Sequence, residues 1–503
     1  MTSASKVSGL LAEATAPALQ EHLVGPTLRR EFPAVLPFMT AINQAHILML
    51  AAQDIIDRPT AAALARAVLQ VEAEGPGSVT LDTAREDPYF NYEARIIEIA
   101  GADIGGRAHI ARSRNDLKAT QDRLRARGFA LAILSGLAGL RQTLLDRADR
   151  HAGVVMPGYT HLQPAQPVTF GWYLLGIAHA IERDHRRLAE CFARIDVNPL
   201  GTGAVAGTSF PVDRAMTARL LGFSRVSGHA QDAVASRDFL TELVGGCAML
   251  ANSWGRMAQD FFVMSSYEFG TLRFPDSVAG TSSMMPQKKN LVVLETLKAR
   301  AATILGAQVA AFVAVKGTNF TNVVDGVSAG FRWVWDALDD TVHGLAMADI
   351  VVATAEPVPD RMLALARANF STATDLADAL VREAGLSFRE AHHLVGAVVR
   401  TAMDRGLTAD GIDAGLVADE AERMLGRRIE LAADLVARIV DPVAVAEERR
   451  GSGGPSKADM AEMQTALAAR LAADRAELAG WQAQVDGADR ERRRQFLALA
   501  ESA

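Results

Sequence analysis

Apolar residues recur at steps of three and four through most of this 503-residue chain, the spacing of one helix face. Leu124, Leu131, Leu134, Leu137, Leu140 and Leu144 follow it most clearly and predict a long helix from about residue 115 to 150. The same spacing predicts helices over 40–52, 60–74, 90–100, 170–195, 239–265 and 291–315. The run 301–315 is almost wholly apolar, interrupted by Gln308. A helix apolar on every side belongs inside a large bundle or at a subunit interface. The run itself falls short of the roughly 20 residues that span a bilayer. No strand signal of any strength appears.

Polar loops break the pattern in three places. Gly105-Gly106 turns the chain toward Arg112-Ser113-Arg114-Asn115-Asp116, where Asn115 or Asp116 can cap the long helix. Pro157, Pro164 and Pro167 keep Gly158-Tyr159-Thr160-His161-Leu162-Gln163 out of any helix. The third loop is Ala279-Gly280-Thr281-Ser282-Ser283-Met284-Met285-Pro286-Gln287-Lys288-Lys289-Asn290. Gly280 and Pro286 punctuate it, and it gathers hydroxyl, ammonium and amide groups in one place. Donor-rich loops between apolar helices are where an anionic substrate would be handled.

These breaks divide an all-α chain into three helical domains: an N-terminal domain over 1–112, a central bundle over 113–357 and a C-terminal domain over 358–503. Pro357 and Pro359 mark the second boundary. Gly201-Thr202-Gly203-Ala204-Val205-Ala206-Gly207 has the wrong spacing for a dinucleotide fingerprint and no strand before it, so it reads as a tight connection. The formal net charge of −7 and the lack of a basic block give no support for a nucleic-acid partner. Cys191 and Cys247 form neither a disulfide framework nor a metal spacing, so a reducing, cytoplasmic setting is expected. Residues 1–11 lack the basic-then-apolar form of a signal peptide.

The third loop resembles the signature Gly-Ser-Ser-x-Met-Pro-x-Lys-x-Asn of the fumarase/aspartase superfamily, with Thr281 in place of the glycine. The wording is nearest the argininosuccinate lyase branch, which also includes lyases of ethylenediamine-N,N′-disuccinate. Arg112-Ser113-Arg114-Asn115-Asp116 and the loop around His161 resemble that branch as well, as does Ser387-Phe388-Arg389-Glu390-Ala391 near the C-terminus.

The resemblance implies a carbon–nitrogen lyase that expels an amine from an N-substituted aspartate and releases fumarate. Ser282 would be the base, with Lys288 favouring its charged form and pairing with the aci-carboxylate. His161 would carry the proton for the leaving nitrogen, held by Glu295. Arg112, Arg114, Asn115, Gln121, Thr160, Arg237, Ser283, Met285 and Asn290 would bind substrate. The resemblance also implies a homotetramer with a twenty-helix core, each active site drawing one loop from each of three subunits. No metal or organic cofactor is implied, and no membrane partner.

The amine half is where the chain departs from the branch. Argininosuccinate lyases follow Lys-Gly with a stretch holding a tyrosine, a glutamine and a charged run. Here Lys316-Gly317 leads into Thr318-Asn319-Phe320-Thr321-Asn322-Val323-Val324-Asp325-Gly326-Val327-Ser328-Ala329-Gly330-Phe331-Arg332, and those groups are gone. Thr27-Leu28-Arg29-Arg30-Glu31 stands where the branch has a serine and an aspartate. A site stripped of its hydrogen-bonding partners loses discrimination steeply. The reading is therefore a lyase with an altered amine half, the disuccinate being the concrete candidate. An argininosuccinate lyase with a divergent pocket and a non-catalytic structural homologue are the alternatives.

Overall fold

The computed structural model describes residues 13–502, so the segment 1–11 read for a signal peptide lies outside the described residues. The first long helix, α1 (Gly25–Ala52), starts well before the predicted position because Pro33 and Pro37 lie within it. Both prolines face solvent, while Phe32, Val35, Leu36 and Met39 are buried on the other side. Packing of that stripe offsets the cost of interior proline. Next come α2 (Arg58–Glu74) and α3 (Pro88–Ala100), capped by Asp57 and Asp87.

α4 (Arg114–Arg150) is followed by a feature the periodicity does not predict. β1 (Val155–Thr160) and β2 (Gln163–Thr169) form an antiparallel hairpin. The expectation of no strand fails here for a physical reason. A two-stranded ribbon consists only of edges, so it accepts Pro157 opposite Pro167, and those prolines hide the alternation in the sequence.

The bundle continues with α5 (Phe170–Ile195), α6 (Asp238–Met264), α7 (Val292–Lys316) and α8 (Arg332–Thr354). Its core centres on Leu134, Leu137, Trp254, Phe261, Leu297 and Ile304. A second core joins α1–α3 to Leu200 and Phe223, and a third lies within residues 376–440. The final helix, α9 (Lys457–Glu501), ties the first two together. Leu467, Leu471 and Leu478 enter the bundle core, and Phe496 and Leu499 enter the second.

The helix carrying the apolar run is longer than the run. At 25 residues α7 has the length and composition to cross a membrane, as do the segments Pro17–Ala52 and Arg114–Arg150. Those two are 72% and 50% buried within the chain over their apolar windows, but α7 is only 22% buried. Leu305, Val309, Phe312 and Val313 stand exposed along it. Among the described residues of a single chain, the apolar face of α7 is therefore left uncovered.

Candidate functional site

The start of α4 is built by a cap. Ser113 Oγ accepts from Asn115 N at 3.2 Å, and Asp116 Oδ1 accepts from Ser113 N at 2.9 Å. Ser113, not Asn115 or Asp116, is thus the N-cap, and Asp116 completes a capping box. Asp116 Oδ2 also accepts from Gly201 N at 2.9 Å and Gly203 N at 3.1 Å, which fastens the 201–207 connection to the helix. Gly203 has φ +59°, and a Cβ there would meet Gly207 O at 2.5 Å. Burial raises the Asp116 pKa, and the donors from Ser113, Gly201 and Gly203 oppose that rise. Asn115 is left to bridge: its Nδ2 donates to Ala204 O at 3.0 Å and its Oδ1 accepts from Asn322 Nδ2 at 2.9 Å.

Arg112 and Arg114 flank the cap and meet consecutive aromatics of α3. Arg112 is buried, and its Nη2 donates to Tyr89 Oη at 2.5 Å and to Ala108 O at 3.2 Å. Arg114 is exposed, with its guanidinium 4.5 Å from the Phe90 ring centroid. Of the three arginines expected to bind substrate, Arg112, Arg114 and Arg237, Arg114 is the one open to it within this chain. Arg237 is buried too. Its Nε donates to Asp122 Oδ2 at 2.9 Å, and its Nη1 donates to the carbonyls of Val234 and Ser236. Gln121 lies two turns beyond Arg114 and faces the clefts on that side of α4.

His161 sits at the tip of the hairpin. Thr160 pairs with Gln163, so His161 and Leu162 form a two-residue loop with φ of +54° and +57°. That is the geometry of a type I′ turn, which ordinarily takes Asn or Gly. For His and Leu it costs about 1–2 kcal/mol per residue. The imidazole is exposed and borders a cavity of about 740 Å³ with Tyr159, Trp172, Tyr173, Asp260 and Phe269.

The signature loop closes as a small hairpin, β3 (Gly280–Thr281) against β4 (Lys289–Asn290). Thr281 pairs with Lys289 in it, so the strand takes a side chain where the signature has glycine. At the tip, Ser282 Oγ accepts from Met285 N at 3.0 Å and Met284 N at 3.4 Å. Two N–H donors lower the cost of negative charge on that oxygen. Ser283, Met285 and Lys288 are exposed, and Lys289 is engaged by Asp276. Lys288, Asn290 and Glu295 border a cavity of about 630 Å³ that shares Val263 and Phe269 with the His161 cavity.

One chain therefore gathers Ser282, Lys288, Asn290 and Glu295 in one region, with Thr160 and His161 next to it. Arg114, Asn115 and Gln121 form another. Among the described residues no bond joins His161 to Glu295 or either region to the other. Sequence reasoning missed Tyr89 and Phe90, which hold the two arginines, and gave no role to Lys118, which borders the clefts beside Arg114. Asn322 carried a signal only as part of the divergent stretch.

Residues 28–306 match the lyase family model and residues 370–445 match the argininosuccinate lyase C-terminal model. Argininosuccinate lyase 1 of Shouchella clausii (strain KSM-K16) is 36% identical over 481 residues, 96% of this chain and 97% of the relative. The argininosuccinate lyase of Haloarcula marismortui is 38% identical over 87% of this chain and 86% of its own length. Among solved structures, a doubly substituted EDDS lyase variant with bound fumarate superposes with a TM-score of 0.87 at 31% identity, covering 98% of this chain and 97% of that one. EDDS lyase in complex with formate gives the same TM-score and identity over 97% and 96%.

Proposed function

Because this chain belongs to the argininosuccinate lyase family of carbon–nitrogen lyases, we propose that it releases fumarate from an N-substituted aspartate whose amine half is not arginine. Ethylenediamine-N,N′-disuccinate is the substrate that fits best. One observation carries this reading. The stretch that departs from the branch packs onto the carboxylate-binding segment: Asn322 donates to Asn115, and Ser328 and Arg332 border the cleft that holds Gln121 and Arg30. The two divergent segments, 27–31 and 318–332, thus meet at the cleft beside Gln121, and the second also reaches Asn115.

The chemistry follows from the groups present. Ser282 takes the proton from the carbon beside a carboxylate, its charged form favoured by the Met284 and Met285 amides and by Lys288. Lys288 pairs with the aci-carboxylate as it forms. Asn290, Ser283, Thr160, Arg114 and Asn115 hold the carboxylates, and the Met285 backbone lines the loop. His161 delivers the proton that lets the amine leave, and Glu295 fixes its tautomer. Fumarate absorbance after addition of the disuccinate and of argininosuccinate tests the reading. Turnover of the disuccinate at low concentration is expected, and preference for argininosuccinate rejects it. The named relatives favour that second reading, of an argininosuccinate lyase with a divergent pocket. EDDS lyase as a structural neighbour favours the first.

The residues of this scheme come from separate regions of one chain, which supports a site completed by several copies. The uncovered apolar face of α7 supports a homotetramer packed along that helix. Glutamate at Val309 and Phe312 together is expected to give a monomer that releases no fumarate. An active monomer would reject the composite site, and recovery of the native chain with membranes would name a bilayer as the cover instead. Two buried, unpaired cysteines support a reducing cytoplasmic setting, and burial pushes the Cys247 thiol up to about 12.

A further inference from the structure

Two clefts open along one side of α4. The nearer is bordered by Arg114, Lys118 and Gln121. The farther shares Lys118 and Gln121 and extends to Arg125, Arg332 and Asp336. Positions 114, 118, 121 and 125 follow at steps of four, three and four, so their side chains stand in a row on one helix face. At the helical rise, Gln121 lies about 10 Å from Arg114 along the axis and Arg125 about 16 Å.

The far cleft is small, about 70 Å³. That is room for one carboxymethyl-sized group, since a water takes about 30 Å³. Its charges are uneven once bonded pairs are set aside. Asp122 is held by Arg237 at 2.9 Å, and Glu31 by Arg30 at 3.1 Å. Lys118, Arg125 and Arg332 then face Asp336. Arg125 is also held in place, 4.2 Å over the Trp335 ring. A guanidinium or plain ammonium entering here would meet an excess of like charge. An anionic group would find charge-assisted donors.

We propose that this far cleft is the subsite for a second carboxylate, carried by the leaving amine about 10 Å beyond the one held at Arg114. Arg125 and Arg332 are then its specificity-determining residues. The assignment rests on the lyase reading above and adds to it a length and a charge for the amine half. A molecule with succinyl groups at both ends of a short diamine satisfies both.

The test compares two substrates in the full-length enzyme: ethylenediamine-N,N′-disuccinate and N-(2-aminoethyl)aspartate, which lacks the second succinyl group. Arg332→Ala is expected to lower kcat/KM for the disuccinate about tenfold, the value of one charge-assisted bond. It is expected to leave the shorter substrate within about twofold. Arg332→Lys keeps the charge and should recover most of the loss, which separates recognition from misfolding. Equal losses on both substrates overturn the subsite, as does undiminished turnover of the disuccinate by both Arg332→Ala and Arg125→Ala. If the native enzyme releases fumarate from neither compound, the functional reading itself fails and takes the subsite with it.

Discussion

Arg112 and Arg114 lie two positions apart and face opposite ways, and the aromatics beneath them decide which does what. Tyr89 takes the Arg112 guanidinium inward, and Phe90 holds that of Arg114 at the surface. Phe90→Leu removes the platform without touching the arginine. It is expected to raise KM severalfold with kcat nearly unchanged, and Phe90→Tyr should restore it. Tyr89→Phe instead strips a partner from a buried guanidinium, so its effect should appear in stability, at about 1–3 kcal/mol in denaturant titration. The candidate site residues were legible in the sequence because polar groups stood out between apolar helices. Their supports were not. Tyr89 and Phe90 look like any aromatic pair at a helix start, and only the approach of α3 to α4 gives them a task. Ser113 was passed over as the cap because the adjacent Asn115 and Asp116 are equally good capping residues by type.

At the scale of elements, the helices of the bundle were legible from spacing alone, since each buries one stripe against its neighbours. α5 (Phe170–Ile195) falls on the predicted bounds. The hairpin was not legible, because proline and polar residues break the alternation that marks a strand. Yet the hairpin is what aims His161, through two residues at positive φ. Leu162→Gly relieves one of them and should stabilise the fold by about 1 kcal/mol, as glycine pays no steric penalty there. The same change frees the tip, so kcat should fall while the melting temperature rises. An unchanged kcat would show that the turn does not orient His161.

For the molecule as a whole, α9 is the strap between cores, and its attachment to the bundle carries a titratable group. His185 on α5 is buried, with Nδ1 3.6 Å from Asp474 on α9, and Arg141 on α4 holds the same carboxylate at 2.5 Å. Burial first, and the nearby Arg141 charge second, push the His185 pKa down to about 4, although Asp474 and Glu182 pull it the other way. The imidazole is therefore neutral in the folded chain at neutral pH. Unfolded, the same ring would take up a proton near pH 6.5. The unfolded state thus binds more protons between about 6.5 and 4, so stability falls as pH drops through that window and loses nothing further from this group below it. A melting series from pH 7.5 to 4 should show the decline, and His185→Gln should flatten part of it. If the slope is identical in the variant, the acid sensitivity lies elsewhere: His46, buried on α1 and lowered first by burial and then by Arg112, has the same sign and is the next group to replace.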